Sequence, residues 1–119
     1  MRLSPDGSKF ATCSADKSIA VFDAKEDTLI KHWTGAHAMG IYDLCWIDDS
    51  SLLTCSADNL IKKWSLDSDS AVKEYDQDGL KRDIPRQLLT VRSLGEAGIL
   101  AVNLSGEICN WNYEGEFSK

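Results

Sequence analysis

A five-residue segment recurs unchanged in this chain, and this recurrence constrains the fold more than any other feature. The segment Thr-Cys-Ser-Ala-Asp occupies residues 12–16 and again residues 54–58. A second pattern, an apolar residue with an aromatic residue three positions later, occurs three times along the chain. The pairs are Ile19 and Phe22, Ile61 and Trp64, and Ile108 and Trp111. Five identical residues in register are hard to ascribe to chance, so the sequence indicates repeats of about 40 to 45 residues.

The central copy, residues 35–65, predicts three short strands. Residues 41–46 alternate roughly as a half-buried strand does, and residues 52–56 form a second apolar run. Asp58 and Asn59 then supply side chains that favour a tight turn into a third strand at 60–64. A weaker outer strand at 71–75 completes four strands. Repeats of this length with four short strands each predict the blades of a β-propeller.

The repeats divide the chain into three units. We predict a partial blade at 1–34 with most of its first strand missing, a complete blade at 35–76, and a degenerate blade at 77–119 that begins with a longer charged entry loop. The loop is either simply solvated or a partner contact. The expected fold is all-β, a fragment of about two and a half to three four-stranded antiparallel blades. We expect further blades to come from a longer parent chain or from association.

Composition narrows the class of partner. The net charge of −6 argues against nucleic acid and against anionic membranes, because both call for a basic face. No apolar run approaches the roughly 20 residues of a membrane helix. We expect the protein to be located in the cytoplasm. The four cysteines lie in apolar strand runs without any C-x-x-C pair, which favours free buried thiols over a metal site; they are Cys13, Cys45, Cys55 and Cys109.

The central copy contains four residues whose side chains can form hydrogen bonds to one another: His37, Ser56, Asp58 and Trp64. Their types and spacing match the hydrogen-bonded tetrad of the WD40-repeat family, which the central copy therefore resembles. The resemblance implies that Asp58 accepts a hydrogen bond from His37 and that Ser56 joins His37 to the indole of Trp64. It also implies a structural role. The rival hypothesis is a catalytic Ser-His-Asp set, which we disfavour because a serine held by a tryptophan points inward.

The other two copies keep only part of this tetrad. The first copy keeps Ser14 and Asp16 but has Phe22 in place of the tryptophan, and the third copy keeps only Trp111. The family geometry also implies candidate partner-binding positions on the top rim of the propeller. These are Tyr42, Gly40 and Leu104, with Ala15 and Ala57 beside them. Tyr42 is either an anchor for a partner or a side chain that packs beside its own strand.

The order of irregularities resembles one branch of the family more closely. The chain has Ser-Pro-Asp-Gly at 4–7, Phe-Asp at 22–23, a terse turn at 46–49 and a degenerate copy around 103–108. This order is similar to the end of the first propeller in the actin-interacting WD-repeat proteins that assist cofilin.

That resemblance implies a non-enzymatic scaffold without cofactor or metal, which binds actin and cofilin, promotes filament disassembly and associates with the cytoskeleton. The alternatives are a WD40 adaptor of an unrelated signalling or RNA-processing complex and, less favoured, an enzyme. The sequence offers neither metal-ligand spacing nor a phosphate-binding loop for an enzyme.

Overall fold

Three four-stranded antiparallel sheets make up the fold, and we call them blades 1, 2 and 3. The computed structural model describes residues 2–57, 60–75, 88–93, 98–103, 106, 108–112 and 117–118. Within each blade the strands follow one another in chain order. The predicted all-β architecture of antiparallel four-stranded blades is therefore confirmed.

The strands have the following bounds. Blade 1 contains β1 (Arg2–Leu3), β2 (Lys9–Cys13), β3 (Ile19–Asp23) and β4 (Leu29–Trp33). Blade 2 contains β5 (Ile41–Asp48), β6 (Ser51–Ser56), β7 (Ile61–Ser65) and β8 (Lys73–Tyr75). Blade 3 contains β9 (Leu88–Ser93), β10 (Ile99–Asn103), β11 (Ile108–Trp111) and β12 (Phe117–Ser118). In the part of the chain that the structure describes, no helix is long and apolar enough to cross a membrane.

The blades stack face to face, and blade 2 is covered on both sides. One core lies between blades 1 and 2 and contains Ala11, Ile19, Val21, Trp33, Ala36, Ile41, Leu44, Trp46, Leu52 and Trp64. The other core lies between blades 2 and 3 and contains Cys45, Leu53, Cys55, Ile61, Tyr75, Val91, Ile99, Ala101, Cys109 and Trp111. Neighbouring residues of β6, such as Leu52 and Leu53, face opposite cores because side chains alternate along a strand. Five of the six β6 residues are consequently buried.

The first strands of the three blades converge. β5 packs against both β1 and β9, whereas the fourth strands lie at the opposite edges of their sheets. Backbone atoms also join the blades here, because the indole nitrogen of Trp46 donates to the carbonyl oxygen of Arg2 at 3.0 Å. At the turn after β1, the amide of Asp6 donates to the Asp49 carboxylate at 3.0 Å. We call the edge formed by β1, β5 and β9 the inner edge.

The segment between β4 and β5 is attached to both blades that it connects. The Ala36 amide donates to the Lys17 carbonyl at 2.8 Å, and the Ile41 amide donates to the Ser14 carbonyl at 3.2 Å. On the blade 2 side, the Ala57 amide donates to the Gly40 carbonyl at 3.1 Å. The β2–β3 turn, the β4–β5 segment and the start of the β6–β7 turn thus lie at one end of the blades, which we call the top.

The backbone of Lys17 is in the left-handed region, with φ of 74°. A side chain there costs roughly 1 to 2 kcal/mol, whereas glycine adopts the conformation without that cost. We expect Lys17→Gly to raise the free energy of unfolding by about 1 kcal/mol, measured by urea denaturation. Lys25→Gly is the matched control, because Lys25 also lies in a turn but its own φ is not positive, so its replacement only adds freedom to the unfolded chain. A Lys17→Gly variant no more stable than Lys25→Gly would show that no strain is stored at this turn.

Candidate functional site

A buried hydrogen-bonded chain joins the top of blade 2 to its third strand. The indole nitrogen of Trp64 donates to the Thr54 hydroxyl at 2.9 Å, and the same hydroxyl lies 2.7 Å from Nε2 of His37. All three side chains are buried. The β4–β5 segment delivers His37, β6 delivers Thr54 and β7 delivers Trp64. The chain therefore ties a connecting segment to two strands without leaving these polar groups unpaired.

The hydroxyl in this chain belongs to Thr54, so the assignment of Ser56 to the place beside the Trp64 indole is corrected. Leu52 lies directly opposite Trp64 in the β6–β7 ladder. Thr54 is the next residue on the same face, whereas Ser56 lies four residues along β6, roughly 13 Å from that position. The Ser56 hydroxyl instead donates to the Met39 carbonyl at 3.5 Å. Asp58 lies outside the described residues, so its predicted place in the tetrad stays a prediction.

Blade 1 lacks the indole donor and replaces it with an aromatic stack. Phe22 occupies the place of Trp64, and its ring stacks on Phe10 with centroids 5.0 Å apart and an angle of 18° between the planes. Ser14 and Asp16 form a local turn instead: the Asp16 amide donates to the Ser14 hydroxyl at 3.1 Å. Hydrogen bonds, first from the Ser18 hydroxyl and then from Ser14, hold the pKa of Asp16 below its ordinary value. In this blade the predicted partial tetrad is a turn-capping device.

Blade 3 keeps the aromatic residue and loses the hydroxyl. Trp111 is buried in the core between blades 2 and 3. The residue at the place of Thr54 is Ala101, which pairs with Cys109 in the β10–β11 ladder. Leu104, the rim candidate of this blade, lies outside the described residues. Of the three blades, blade 2 therefore has the most complete polar chain within the described residues.

The rim candidates of blade 2 differ in what surrounds them. Tyr42 is 50% exposed, and Met39, three residues before it in the chain, is 46% exposed. Tyr42 is the extra residue of a β-bulge, because Ile41 pairs with Ser56 and Asp43 pairs with Cys55. Gly40 lies against blade 1, where an added Cβ would meet the Ala15 Cα at 3.4 Å. Gly40 thus faces blade 1 at ordinary contact distance, while Tyr42 and Met39 present large side chains to solvent.

Asp43 was missed as a key residue by reasoning from the sequence. Its Oδ2 accepts hydrogen bonds from the Thr90 hydroxyl at 2.6 Å, from Arg92 Nη1 at 2.6 Å and from the Val91 amide at 3.2 Å. Its Oδ1 accepts from the Leu44 amide at 2.9 Å and from Arg2 Nη2 at 3.3 Å. One carboxylate therefore joins β1, β5 and β9, the three strands of the inner edge.

The environment of Asp43 favours its ionised form. Burial alone raises the pKa of this carboxyl, but the hydrogen bonds from Thr90, Arg92 and the Val91 amide outweigh burial and lower the pKa below its ordinary value. The sequence carried one signal of this role, because an aspartate in the middle of an apolar strand run needs partners when it is buried.

The geometry gives no support to nucleophilic chemistry at the predicted tetrad. The Thr54 hydroxyl is buried and already accepts a hydrogen bond from Trp64. Burial raises the pKa of the Cys45 thiol to about 11 and that of Cys55 further, so both are protonated at neutral pH. Among the residues that the structure describes, no three His, Cys, Asp or Glu side chains are grouped to hold a metal ion.

Comparisons with known proteins agree with this architecture. The family described as WD domain, G-beta repeat matches residues 1–23 and 27–65, more than half of the chain. WD repeat-containing protein 1 of Gallus gallus is 41% identical over 78 residues, and Actin-interacting protein 1 of Drosophila melanogaster is 36% identical over 77 residues. Each alignment covers 63% of this chain and 13% of the relative, so the chain spans a small part of their length.

The backbone is also similar to solved propellers. The crystal structure of the WD40 beta propeller domain of Doa1 superposes with a TM-score of 0.80 at 24% identity, and covers 98% of this chain and 37% of that one. At this identity the likeness shows the fold alone.

The Thr54 hydroxyl gives a direct test of the buried chain. We expect Thr54→Val, which keeps the shape but removes the hydroxyl, to lower the free energy of unfolding by about 2 to 4 kcal/mol because two buried partners lose their bond. The comparison variant is Ser56→Ala, for which we expect a loss of about 1 kcal/mol. Denaturant unfolding of both variants measures the difference. A larger loss for Ser56→Ala than for Thr54→Val would restore Ser56 as the central hydroxyl.

Asp43 predicts a specific dependence of stability on pH. Its folded pKa lies below the ordinary 3.8, so its contribution is fully present above about pH 4 and is lost as the pH falls through the folded value. We expect Asp43→Asn to cost about 2 to 4 kcal/mol at neutral pH, and the difference from the wild type to shrink below pH 4.

Asp69→Asn serves as the control for the Asp43 variant. Asp69 is fully exposed and pairs with Lys31 at 2.6 Å, so we expect its replacement to cost little at any pH. Free energies of unfolding measured across the acid range separate the two sites. A constant difference between wild type and Asp43→Asn at all pH values would contradict the assignment of the shift to Asp43.

Proposed function

The chain belongs to the WD domain, G-beta repeat family, and from this premise we propose that it is part of a protein-binding scaffold that acts on actin filaments together with cofilin. The observation that carries the proposal is its 36% identity over 77 residues to a relative named for interaction with actin. The similarity to WD repeat-containing protein 1 supports the same branch of the family. The proposal places the protein in the cytoplasm, associated with the cytoskeleton.

The geometry fits a scaffold that binds through its surface. Buried side chains hold the blades together, and Thr54 and Asp43 fix connecting segments and strands in place. Large side chains remain exposed at the top of blade 2, where Tyr42 and Met39 are each about half exposed. A rigid frame with an aromatic anchor at its rim is a common arrangement for protein recognition. Among these residues Tyr42 is the best candidate for a contact with a partner.

Filament sedimentation tests the proposal. The full-length protein that carries this sequence is mixed with actin filaments, with and without cofilin, and the actin that remains in the supernatant is measured. We expect the protein to pellet with cofilin-decorated filaments and to increase the soluble actin beyond the amount that cofilin alone releases. If neither effect occurs, the actin proposal fails, and an adaptor of another complex becomes the better hypothesis.

Tyr42→Ala tests the rim contact within the same assay. Loss of an aromatic anchor at the centre of an interface weakens binding by about tenfold or more. Leu29→Ala is the matched control, because Leu29 is 56% exposed, similar to Tyr42, but lies at the start of β4 away from the top. We expect the Tyr42 variant to pellet less and the Leu29 variant to behave as the wild type. Equal behaviour of the two variants would remove Tyr42 from the binding surface.

A further inference from the structure

Two half-exposed arginines flank Asp43 at the inner edge. Arg2 contributes Nη2 and Arg92 contributes Nη1 to the carboxylate, and their side chains are 45% and 47% exposed. A guanidinium has five N–H donors in a fixed fork. The Nε and Nη1 atoms of Arg2, and the Nε and Nη2 atoms of Arg92, make no hydrogen bond within the described part of the chain. Both arginines therefore keep donors that can face a ligand.

The local charge here is opposite to that of the whole chain. Two guanidiniums share one carboxylate, so the local charge of these three side chains is about +1. The net charge of the whole chain is −6. Asp43 is itself held by Thr90 and by the Val91 and Leu44 amides, so it fixes where both arginines lie. Side chains that are already ordered lose less conformational entropy when they bind a ligand. The arrangement is a preorganised cationic pair.

We propose that Arg2 and Arg92 together bind the carboxylate of an aspartate or glutamate side chain on a partner protein. Guanidinium forks form paired hydrogen bonds with carboxylates. A single excess positive charge is balanced by one monovalent carboxylate, whereas a phosphate dianion would leave an excess negative charge next to Asp43. The proposal rests on the proposed function, since it names the chemistry of the protein that the scaffold binds.

The position of the pair on the fold agrees with a protein ligand. Tyr42 directly precedes Asp43 and is half exposed, so an aromatic side chain and two arginines lie along adjoining positions of the inner edge. Arginine and tyrosine are the residue types that most often dominate binding energy in protein interfaces. In a closed propeller the blades surround a central channel. In this proposal, an acidic loop of the partner enters the channel from the top and contacts both arginines.

Peptide binding tests the proposal on the full-length protein. A fluorescent glutamate-rich peptide, a glutamine-rich peptide of equal length and a phosphoserine peptide are titrated against wild type, Arg2→Gln, Arg92→Gln and the double variant. We expect the glutamate peptide alone to bind the wild type, with affinity reduced about tenfold or more in each arginine variant. Lys31→Gln is the control, because it also removes one cation from an ion pair but lies on β4 at the outer edge. It should bind as the wild type does.

Two further variants separate recognition from folding. Arg2→Lys and Arg92→Lys keep the positive charge near Asp43 but remove the fork, so they should melt close to the wild type yet bind the glutamate peptide less tightly. Equal affinity for the glutamine and glutamate peptides, tighter binding of the phosphoserine peptide, or an equal loss in Lys31→Gln and the arginine variants would overturn the proposal. So would full affinity in variants that remain folded.

The same variants in filament sedimentation distinguish this proposal from the actin proposal. Wild-type protein that pellets with filaments while the glutamate peptide fails to bind leaves the actin proposal standing and removes the carboxylate site. Arginine-dependent binding of the glutamate peptide without any filament pelleting gives the reverse result.

Discussion

The packing of one blade on the next is the interaction on which the rest of this structure depends. A four-stranded sheet of this size has two apolar faces, and neither can be left in water at a favourable free energy. In blade 2 both apolar faces are covered: Leu52 and Trp64 pack against blade 1, while Leu53 and Ile61 pack against blade 3. The remaining features of the fold act by fixing how the blades sit on one another.

Apolar burial alone does not fix that arrangement, because it has little directionality. Polar groups with few possible partners supply the direction. Thr54 accepts the Trp64 indole only when β6 and β7 are in the observed register. Asp43 reaches Thr90 and Arg2 only when the first strands of all three blades converge. Burying either of these polar groups without a hydrogen-bond partner costs free energy. A shifted arrangement of the blades therefore loses the hydrogen bonds and also incurs this cost.

Sequence reasoning found the repeat, the four-stranded units and most strands, because the apolar pattern and the turn residues are local signals. It chose Ser56 over Thr54 because both hydroxyls lie on the same face of one strand, and only the pairing of Leu52 with Trp64 separates them. This strand register is a property of the folded structure and cannot be read from the order of residues alone. The role of Asp43 was not predicted for a related reason. Its partners Arg2 and Arg92 are far away in sequence, and only the convergence of the blades brings them together.

The bulge at Tyr42 links the packing of β5 to the exposure of the proposed contact residue. Ile41 and Leu44 are three residues apart, yet both face blade 1, which strict alternation along a strand does not allow. The extra residue of the bulge restores the order of faces, and so Asp43 meets blade 3 while Leu44 meets blade 1. The same extra residue is Tyr42, which falls between the Ile41–Ser56 and Asp43–Cys55 pairs of the ladder and is half exposed. One irregularity thus places a binding candidate directly beside the carboxylate that joins the three blades.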